Sequence, residues 1–209
     1  MQERSDAAKT LSFLVVTIAL YLLLWQLLTR HFDFPVYYYA RLIELLSIGL
    51  FVALAIHTPM RFEEMGIVVP RAVLFRSLAL GGAFALLVFC TLALFRLRLG
   101  GAPIFSWCLS GDISRVTYVL VAPLQEVLAK SVMLYSFELC FEGKHPHLAN
   151  LMSGLTFAAF HVVYGFRMMV LAMLLALFTG WLFHRERCIW GCALTHFALG
   201  FFPACFGFA

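Results

Sequence analysis

Three ionisable side chains interrupt long apolar stretches of this sequence and are its first indication of chemistry. Glu126 lies in one apolar stretch, and His161 and His196 lie in two later ones. A carboxylate inside a membrane helix costs about 2.5–3.5 kcal/mol to insert, so such a residue is expected to have a partner or a function. A glutamate with a histidine can deprotonate water. A second histidine can stabilise the oxyanion that forms when water adds to a peptide carbonyl. The three residues therefore predict a peptide-hydrolysing site.

The neighbours of Glu126 define what this site can do. Lys130 follows four residues later, so on an α-helix the two side chains share a face and are expected to form an ion pair. Gln125 is turned about 100° around the helix from Glu126, and its amide can donate and accept hydrogen bonds but cannot act as a general base. Pro123 frees a backbone carbonyl and is expected to bend the helix. The His-Glu-x-x-His motif of helical metalloproteases is absent, and neither a metal site nor a cofactor is predicted.

The composition indicates which elements position these residues. The chain has 209 residues, of which 63% are hydrophobic and 12% charged, whereas an ordinary soluble domain is about 45–50% apolar and about 25% charged. The apolar stretches are continuous and do not alternate, which favours membrane-spanning helices over a β-barrel. We predict an all-α, polytopic membrane protein with about seven transmembrane helices in one bundle, forming a single domain over residues 1–209.

Seven apolar segments are expected to form these helices. Their approximate bounds are 10–28, 38–56, 77–95, 116–141, 148–164, 168–183 and 189–202. Glu126 falls in the fourth segment, His161 near the end of the fifth and His196 in the seventh. In the second segment Arg41 and Glu44 are three residues apart and are expected to pair.

The connections and the charge distribution predict a topology. Residues 58–76 alternate charged with apolar residues and are expected to form an interfacial amphipathic segment, while residues 96–115 contain glycines and a proline and are expected to form a loop. The net charge of +4 is ordinary for a membrane protein and gives no indication of nucleic-acid binding. A cytoplasmic N-terminus places more Lys and Arg on the cytoplasmic side, so we expect this orientation, in a prokaryotic inner (plasma) membrane.

Three short motifs resemble those of a known family. The stretches concerned are Gln125 to Lys130, Phe157 to His161, and His196 to Gly200. They resemble, in order and spacing, the patterns Glu-Glu-x-x-x-Arg, Phe-x-x-x-His and His-x-x-x-Asn (or Asp) of the CAAX-protease and bacteriocin-processing group, also called the abortive-infection or Rce1-like family of intramembrane proteases. The resemblance covers roughly residues 60–202 and implies a protease-family core there.

Three positions depart from the family pattern. Gln125 stands where the family has its first, water-activating glutamate, Lys130 where it has an arginine, and Gly200 where it has an asparagine that the resemblance implies to be an oxyanion donor. Lysine keeps the charge but loses the planar fork of arginine, and glycine offers no side chain. Three explanations of these departures remain. Glu126 acts as the base in a divergent enzyme, the protein is a relative that does not hydrolyse its substrate, or Gln125 was introduced in place of glutamate.

The resemblance also implies roles for the remaining motif residues. Glu126, with Gln125 positioning water, is expected to act as the base together with His161, while His196 stabilises the oxyanion. Lys130 would hold Glu126 or tune its pKa, and Phe157 would support the site.

We therefore expect a glutamic-type intramembrane endopeptidase that cuts a peptide bond in or near a membrane-embedded segment of its substrate. With a cytoplasmic N-terminus the site lies toward the outer half of the bilayer, so an exported protein with a sorting or processing signal is a better substrate than a cytoplasmic prenylated protein. One alternative is a catalytically inactive membrane scaffold that binds a partner's transmembrane helix. Another is a small proton-coupled transporter with a carboxylate and histidine relay, although no repeat or pair of broken helices is detectable.

Overall fold

A chain of helices makes up the computed structural model, which describes residues 2–34, 36–57, 62–100 and 113–208. The elements are α1 (Gln2–His31), α2 (Val36–His57), α3 (Arg71–Arg98), α4 (Ile113–Glu126), a π-helix (Val127–Leu134), α5 (Tyr135–Cys140), α6 (Pro146–Ala159), a 3-10 turn (Val162–Tyr164), α7 (Phe166–Glu186) and α8 (Ile189–Cys205). Because α4, the π-helix and α5 are continuous, the described residues form seven long helical rods and no strand. The predicted all-α fold is confirmed.

Several of these helices have the length and composition of membrane spans. Among the described residues four qualify, at Ala7–His31, Arg71–Arg98, Thr117–Cys140 and Phe166–Glu186. Large apolar side chains such as Leu23 are exposed on their outer faces, as expected where a helix contacts lipid instead of water. The chain is consistent with the predicted polytopic membrane protein.

Two of the differences between the helix bounds and the expected segments change the connections. Helix α3 begins at Arg71, so the expected interfacial segment is shorter, and its described part, residues 62–70, consists of turns. Helix α6 ends at Ala159, so His161 lies in the turn that follows. Gly165 closes this turn with φ +86, a backbone conformation that glycine adopts without strain. Residues 58–61 and 101–112, which include most of the expected loop, lie outside the described residues.

Small residues bring α3 and α8 into close contact. Ser77, Gly81 and Ala85 form the buried stripe of α3, and Ser77 and Gly81 face Gly191 in the first turn of α8. A Cβ atom on Gly81 would lie 2.4 Å from the carbonyl oxygen of Gly191, and the Gly191 amide donates to the Ser77 hydroxyl at 3.2 Å. Such stripes let helix backbones approach closely where the hydrophobic effect does not drive association. The contact fixes the start of the helix that carries His196.

The π-helix lies at the centre of the bundle. Every residue from Leu128 to Leu134 is buried, and the segment packs against α2, α6, α7 and α8. Hydrogen bonds join the segment to its neighbours: the Ser153 hydroxyl donates to the Ala129 carbonyl at 2.8 Å, and the Ser131 hydroxyl donates to the Met65 backbone carbonyl at 2.6 Å. Segments of π-helix frequently mark functional sites, and this one begins directly after Glu126.

Candidate active site

Glu126 and His196 form a buried hydrogen-bonded pair between α4 and α8. The His196 Nδ1 atom lies 2.8 Å from Glu126 Oε1, and the two residues are 3% and 1% exposed. The carboxylate can only accept when it is ionised, so Nδ1 donates the proton and Nε2 is left as the second functional nitrogen. A carboxylate that holds an imidazole in this way fixes its tautomer and stabilises its protonated form.

Lys130 is fully buried but does not form the expected direct ion pair. Its Nζ atom donates to the carbonyl oxygen of Ala176 in α7 at 2.6 Å, and no salt bridge joins it to Glu126 among the described residues. The physical reason is the competing acceptor on α7, because the Ala176 carbonyl takes the bond from the ammonium group and Glu126 is bonded to His196. Lys130 is still close enough to act electrostatically on Glu126, so it compensates the buried carboxylate through space.

His161 is held at the other side of the Phe157 ring. Its Nδ1 atom lies 2.8 Å from the Phe157 carbonyl oxygen, which only accepts, so Nδ1 donates and a neutral His161 keeps a basic Nε2. The buried Phe157 ring contacts both histidines, with centroid distances of 4.7 Å to His161 and 5.9 Å to His196. The ring therefore acts as a spacer between the two imidazoles. Glu126, which was expected to pair with His161, is hydrogen-bonded to His196 instead.

Gln125 faces away from that pair toward helix α2. Its amide nitrogen lies 3.5 Å from Glu44 Oε1, at the long end of hydrogen-bonding distance. Glu44 is also paired with Arg41, whose Nε atom is 3.1 Å from Oε2. The expected pairing of Arg41 with Glu44 is thus confirmed, and the pair lies beside the predicted site. The sequence predicts the pair but not its place beside the site, because nothing in the sequence shows that α2 packs against α4.

The departure at Gly200 has a steric explanation. A Cβ atom at this position would lie 2.1 Å from the hydroxyl oxygen of Tyr118, so the Tyr118 phenol occupies the space that a side chain at position 200 would need. The Tyr118 ring also contacts the His196 ring edge to face, with centroids 6.1 Å apart. Tyr118 is a site residue that sequence reasoning missed, and its position seven residues before Gln125, two helical turns away, was the available signal.

A cavity of about 940 Å³ gives these side chains a common surface. The polar residues of its wall are Arg41, Tyr118, Gln125, His161, Tyr164 and His196. The rest of the wall is apolar and comes mainly from α7 and α8, and two of its side chains, Leu171 and Leu174 of α7, are exposed. An apolar cavity with a few convergent polar groups is the usual form of a binding site.

The structure thus brings most of the predicted site residues together. Gln125, Phe157, His161, His196 and Gly200 line the same cavity, whereas Glu126 and Lys130 are buried and do not line it, and Glu126 is hydrogen-bonded to the lining residue His196. Among the described residues no group of three or more His, Cys, Asp or Glu side chains is arranged to hold a metal ion.

Comparison with known proteins bears on this arrangement. No curated protein and no solved structure matches the chain. A family model described as Rce1-like, type II CAAX prenyl endopeptidase, matches residues 113–202. The matched segment begins with α4 and ends within α8, so it contains Gln125, Glu126, both histidines and Gly200. The match confirms the family resemblance that the motifs predicted and shows that residues 113–202 are similar to the Rce1-like family.

Proposed function

We propose that this protein is a glutamic-type intramembrane endopeptidase, which hydrolyses a peptide bond in or near a membrane-embedded segment of another protein. The observation that carries the proposal is the buried hydrogen bond between Glu126 and His196, at the wall of a cavity that His161 also lines. The similarity of residues 113–202 to a family of endopeptidases supports the same reaction class.

The hydrogen bonds favour distinct roles for the two histidines. His196, with Nδ1 bonded to Glu126, carries a stabilised positive charge when it is protonated, and its Nε2–H group then donates to the oxyanion of the tetrahedral intermediate. His161, with Nδ1 bonded to a carbonyl, keeps a basic Nε2 and can pass a proton to the departing amine. Glu126 is in this scheme the residue that positions His196, and Gln125 orients the attacking water.

The cavity wall favours an apolar substrate segment. Outside the group of polar residues its lining is mostly Leu, Phe, Met and Ala side chains of α7 and α8. A membrane-anchored or membrane-spanning protein fits such a wall, because its apolar segment loses no hydration on binding. With a cytoplasmic N-terminus, the substrate we propose is an exported protein with a sorting or processing segment.

Cleavage in proteoliposomes tests the proposal. The purified protein is reconstituted with a library of tethered transmembrane peptides, and cleavage is followed by mass spectrometry. His196→Ala is expected to lower the rate by about 10²–10³-fold, as for loss of an oxyanion donor, and His161→Ala by about 10²–10⁴-fold, as for loss of a general acid. The matched control is His184→Ala, which removes a histidine bonded to Glu138 away from the cavity. Cleavage that neither site substitution changes would show that the proposal is wrong.

One observation favours a second candidate function. Gln125 cannot act as a base, so a non-hydrolysing scaffold that holds a partner's transmembrane helix in the same cavity is the alternative. It predicts binding of library peptides by the wild-type protein without any cleavage product, and binding that survives His161→Ala.

A further inference from the structure

Glu44 is a second buried carboxylate at the candidate active site, and the roles proposed so far do not use it. It lies on α2, is 7% exposed, and receives the Gln125 amide on Oε1 at 3.5 Å. Its other oxygen, Oε2, is buried, and although Arg41 Nε is 3.1 Å away the contact lacks hydrogen-bond geometry. Oε2 therefore keeps the capacity to accept a hydrogen bond from a molecule that is small enough to reach it.

A small cavity beside Glu44 has room for such a molecule. Its volume is about 20 Å³, and a space of roughly 10–15 Å³ is enough for one water molecule that finds polar partners. Glu44, Gln125 and His161 are among the side chains that line it. The last two also line the large cavity, so a water molecule held here lies at the border of the space proposed for the substrate.

Charge and hydrogen bonding assign different abilities to the groups around this small cavity. The Gln125 amide donates toward Glu44, which directs its carbonyl oxygen elsewhere and leaves no basic atom on this residue. The Glu126 carboxylate is engaged by His196. Glu44 is the carboxylate that borders the small cavity among the described residues.

We propose that Glu44 is the general base of the hydrolysis, a catalytic residue supplied by α2 from outside the family-matched segment. This inference rests on the proposed endopeptidase function. Glu44 takes a proton from the water molecule, the water oxygen forms a bond to the carbonyl carbon of the scissile peptide, and the carbonyl π electrons move to the oxygen, which His196 stabilises. The proton then passes from Glu44 through His161 to the amide nitrogen as the carbon–nitrogen bond breaks. One water molecule is consumed, and a carboxyl and an amino terminus are formed.

The test compares Glu44→Gln with wild type on the peptide that wild type cleaves fastest in the tethered library. A general base contributes about 10²–10⁴-fold, so kcat is expected to fall by that factor. KM is expected to stay within about twofold, because the base acts in the transition state and not in substrate binding. Adding Gln125→Glu to the Glu44→Gln variant returns a carboxylate to the same small cavity and is expected to recover at least about tenfold in kcat.

A matched control separates catalysis from structure. Glu186 is 6% exposed, so it is as buried as Glu44, and like Glu44 it is paired with an arginine, Arg76. Unlike Glu44, it lines neither cavity. Glu186→Gln is expected to keep the wild-type kcat even where it lowers thermal stability. If Glu44→Gln keeps kcat within about threefold of wild type while His196→Ala is inactive, the protein is a protease and the assignment of Glu44 is wrong. Loss of activity that Gln125→Glu does not recover also counts against a base at this place.

The assignment of Glu44 can also be tested without a cleaved substrate, if no library peptide is cleaved. An experimental structure of the wild-type protein at a resolution that shows water is expected to place one water molecule within hydrogen-bonding distance of Glu44 Oε2 and Gln125. A small cavity without that water molecule overturns the assignment, whatever the substrate is.

Discussion

Replacing Glu126 by glutamine tests the central hydrogen bond of the site. The change keeps the shape of the side chain and an oxygen that can accept from His196 Nδ1, but it removes the negative charge opposite a histidine that is 3% exposed. A hydrogen bond to a charged group contributes about 1.5–3 kcal/mol. If that stabilisation supports protonated His196 in the transition state, cleavage is expected to fall by about 10- to 150-fold, since a factor of ten corresponds to about 1.36 kcal/mol.

The assay is peptide cleavage in proteoliposomes together with thermal unfolding in detergent. Glu138→Gln is the matched control, because Glu138 also accepts from a histidine, His184, at 3.0 Å, but lines neither cavity. The control is expected to cleave at the wild-type rate. If Glu126→Gln cleaves as fast as Glu138→Gln, the carboxylate does not act through His196 and the reasoning on this pair is refuted.

Three further substitutions test the surroundings of that pair. Lys130→Met removes the buried charge near Glu126 and is expected to lower the free energy of unfolding by about 3–5 kcal/mol. The double variant with Glu126→Gln should lose less than the two single variants together. Losses that add exactly would mean that the two charges do not interact. Gly200→Ala places a Cβ atom 2.1 Å from the Tyr118 hydroxyl, so overpacking is expected to lower the free energy of unfolding by about 1–3 kcal/mol. In a Tyr118→Ala background the same substitution should cost less. Wild-type stability of the Gly200→Ala variant would contradict the close approach. Phe157→Leu should lower the free energy of unfolding by less than about 1.5 kcal/mol. It should lower the cleavage rate by about 10²-fold, because the ring spaces the two imidazoles. A cleavage rate close to that of the wild type would show that the spacing is unimportant.

The sequence predicts the fold well because membrane helices are specified locally. In a membrane each spanning segment must form its own backbone hydrogen bonds as a helix, and the long apolar stretch that marks it can be recognised without knowledge of its neighbours. Helix ends are harder to predict. The residues after Ala159 are still mostly apolar, yet α6 ends there and His161 lies in a turn. The end depends on Gly165 and on the hydrogen bond from His161 to Phe157, which are features of the fold and not of hydropathy.

The same distinction separates what could be predicted about the site. Residue types and motif spacing select Gln125, Phe157, His161, His196 and Gly200, which the structure gathers around one cavity. The partners of these residues come from helix packing, which spacing does not encode. Two examples are Glu44, which reaches Gln125 from α2, and Tyr118, which occupies the space beside Gly200. The expected direct pairing of Glu126 with Lys130 was wrong for the same reason, since Lys130 donates to the Ala176 carbonyl of α7 and Glu126 is bonded to His196 of α8.

That π-helix makes the length of this part of the chain a constraint in its own right. Residues 127–134 join a helix that ends in Glu126 to a helix that begins at Tyr135, with both ends anchored in the bundle. Losing one residue would let the segment adopt the tighter α-helical winding, but each α-helical residue turns the chain by about 100°. Lys130 and Ser131 lie inside the segment, so the change of winding would turn their side chains away from the Ala176 and Met65 carbonyl groups that accept from them. In this segment the number of residues is therefore as specific as their identity, and a deletion that leaves Glu126 and both histidines in the sequence would still displace Lys130.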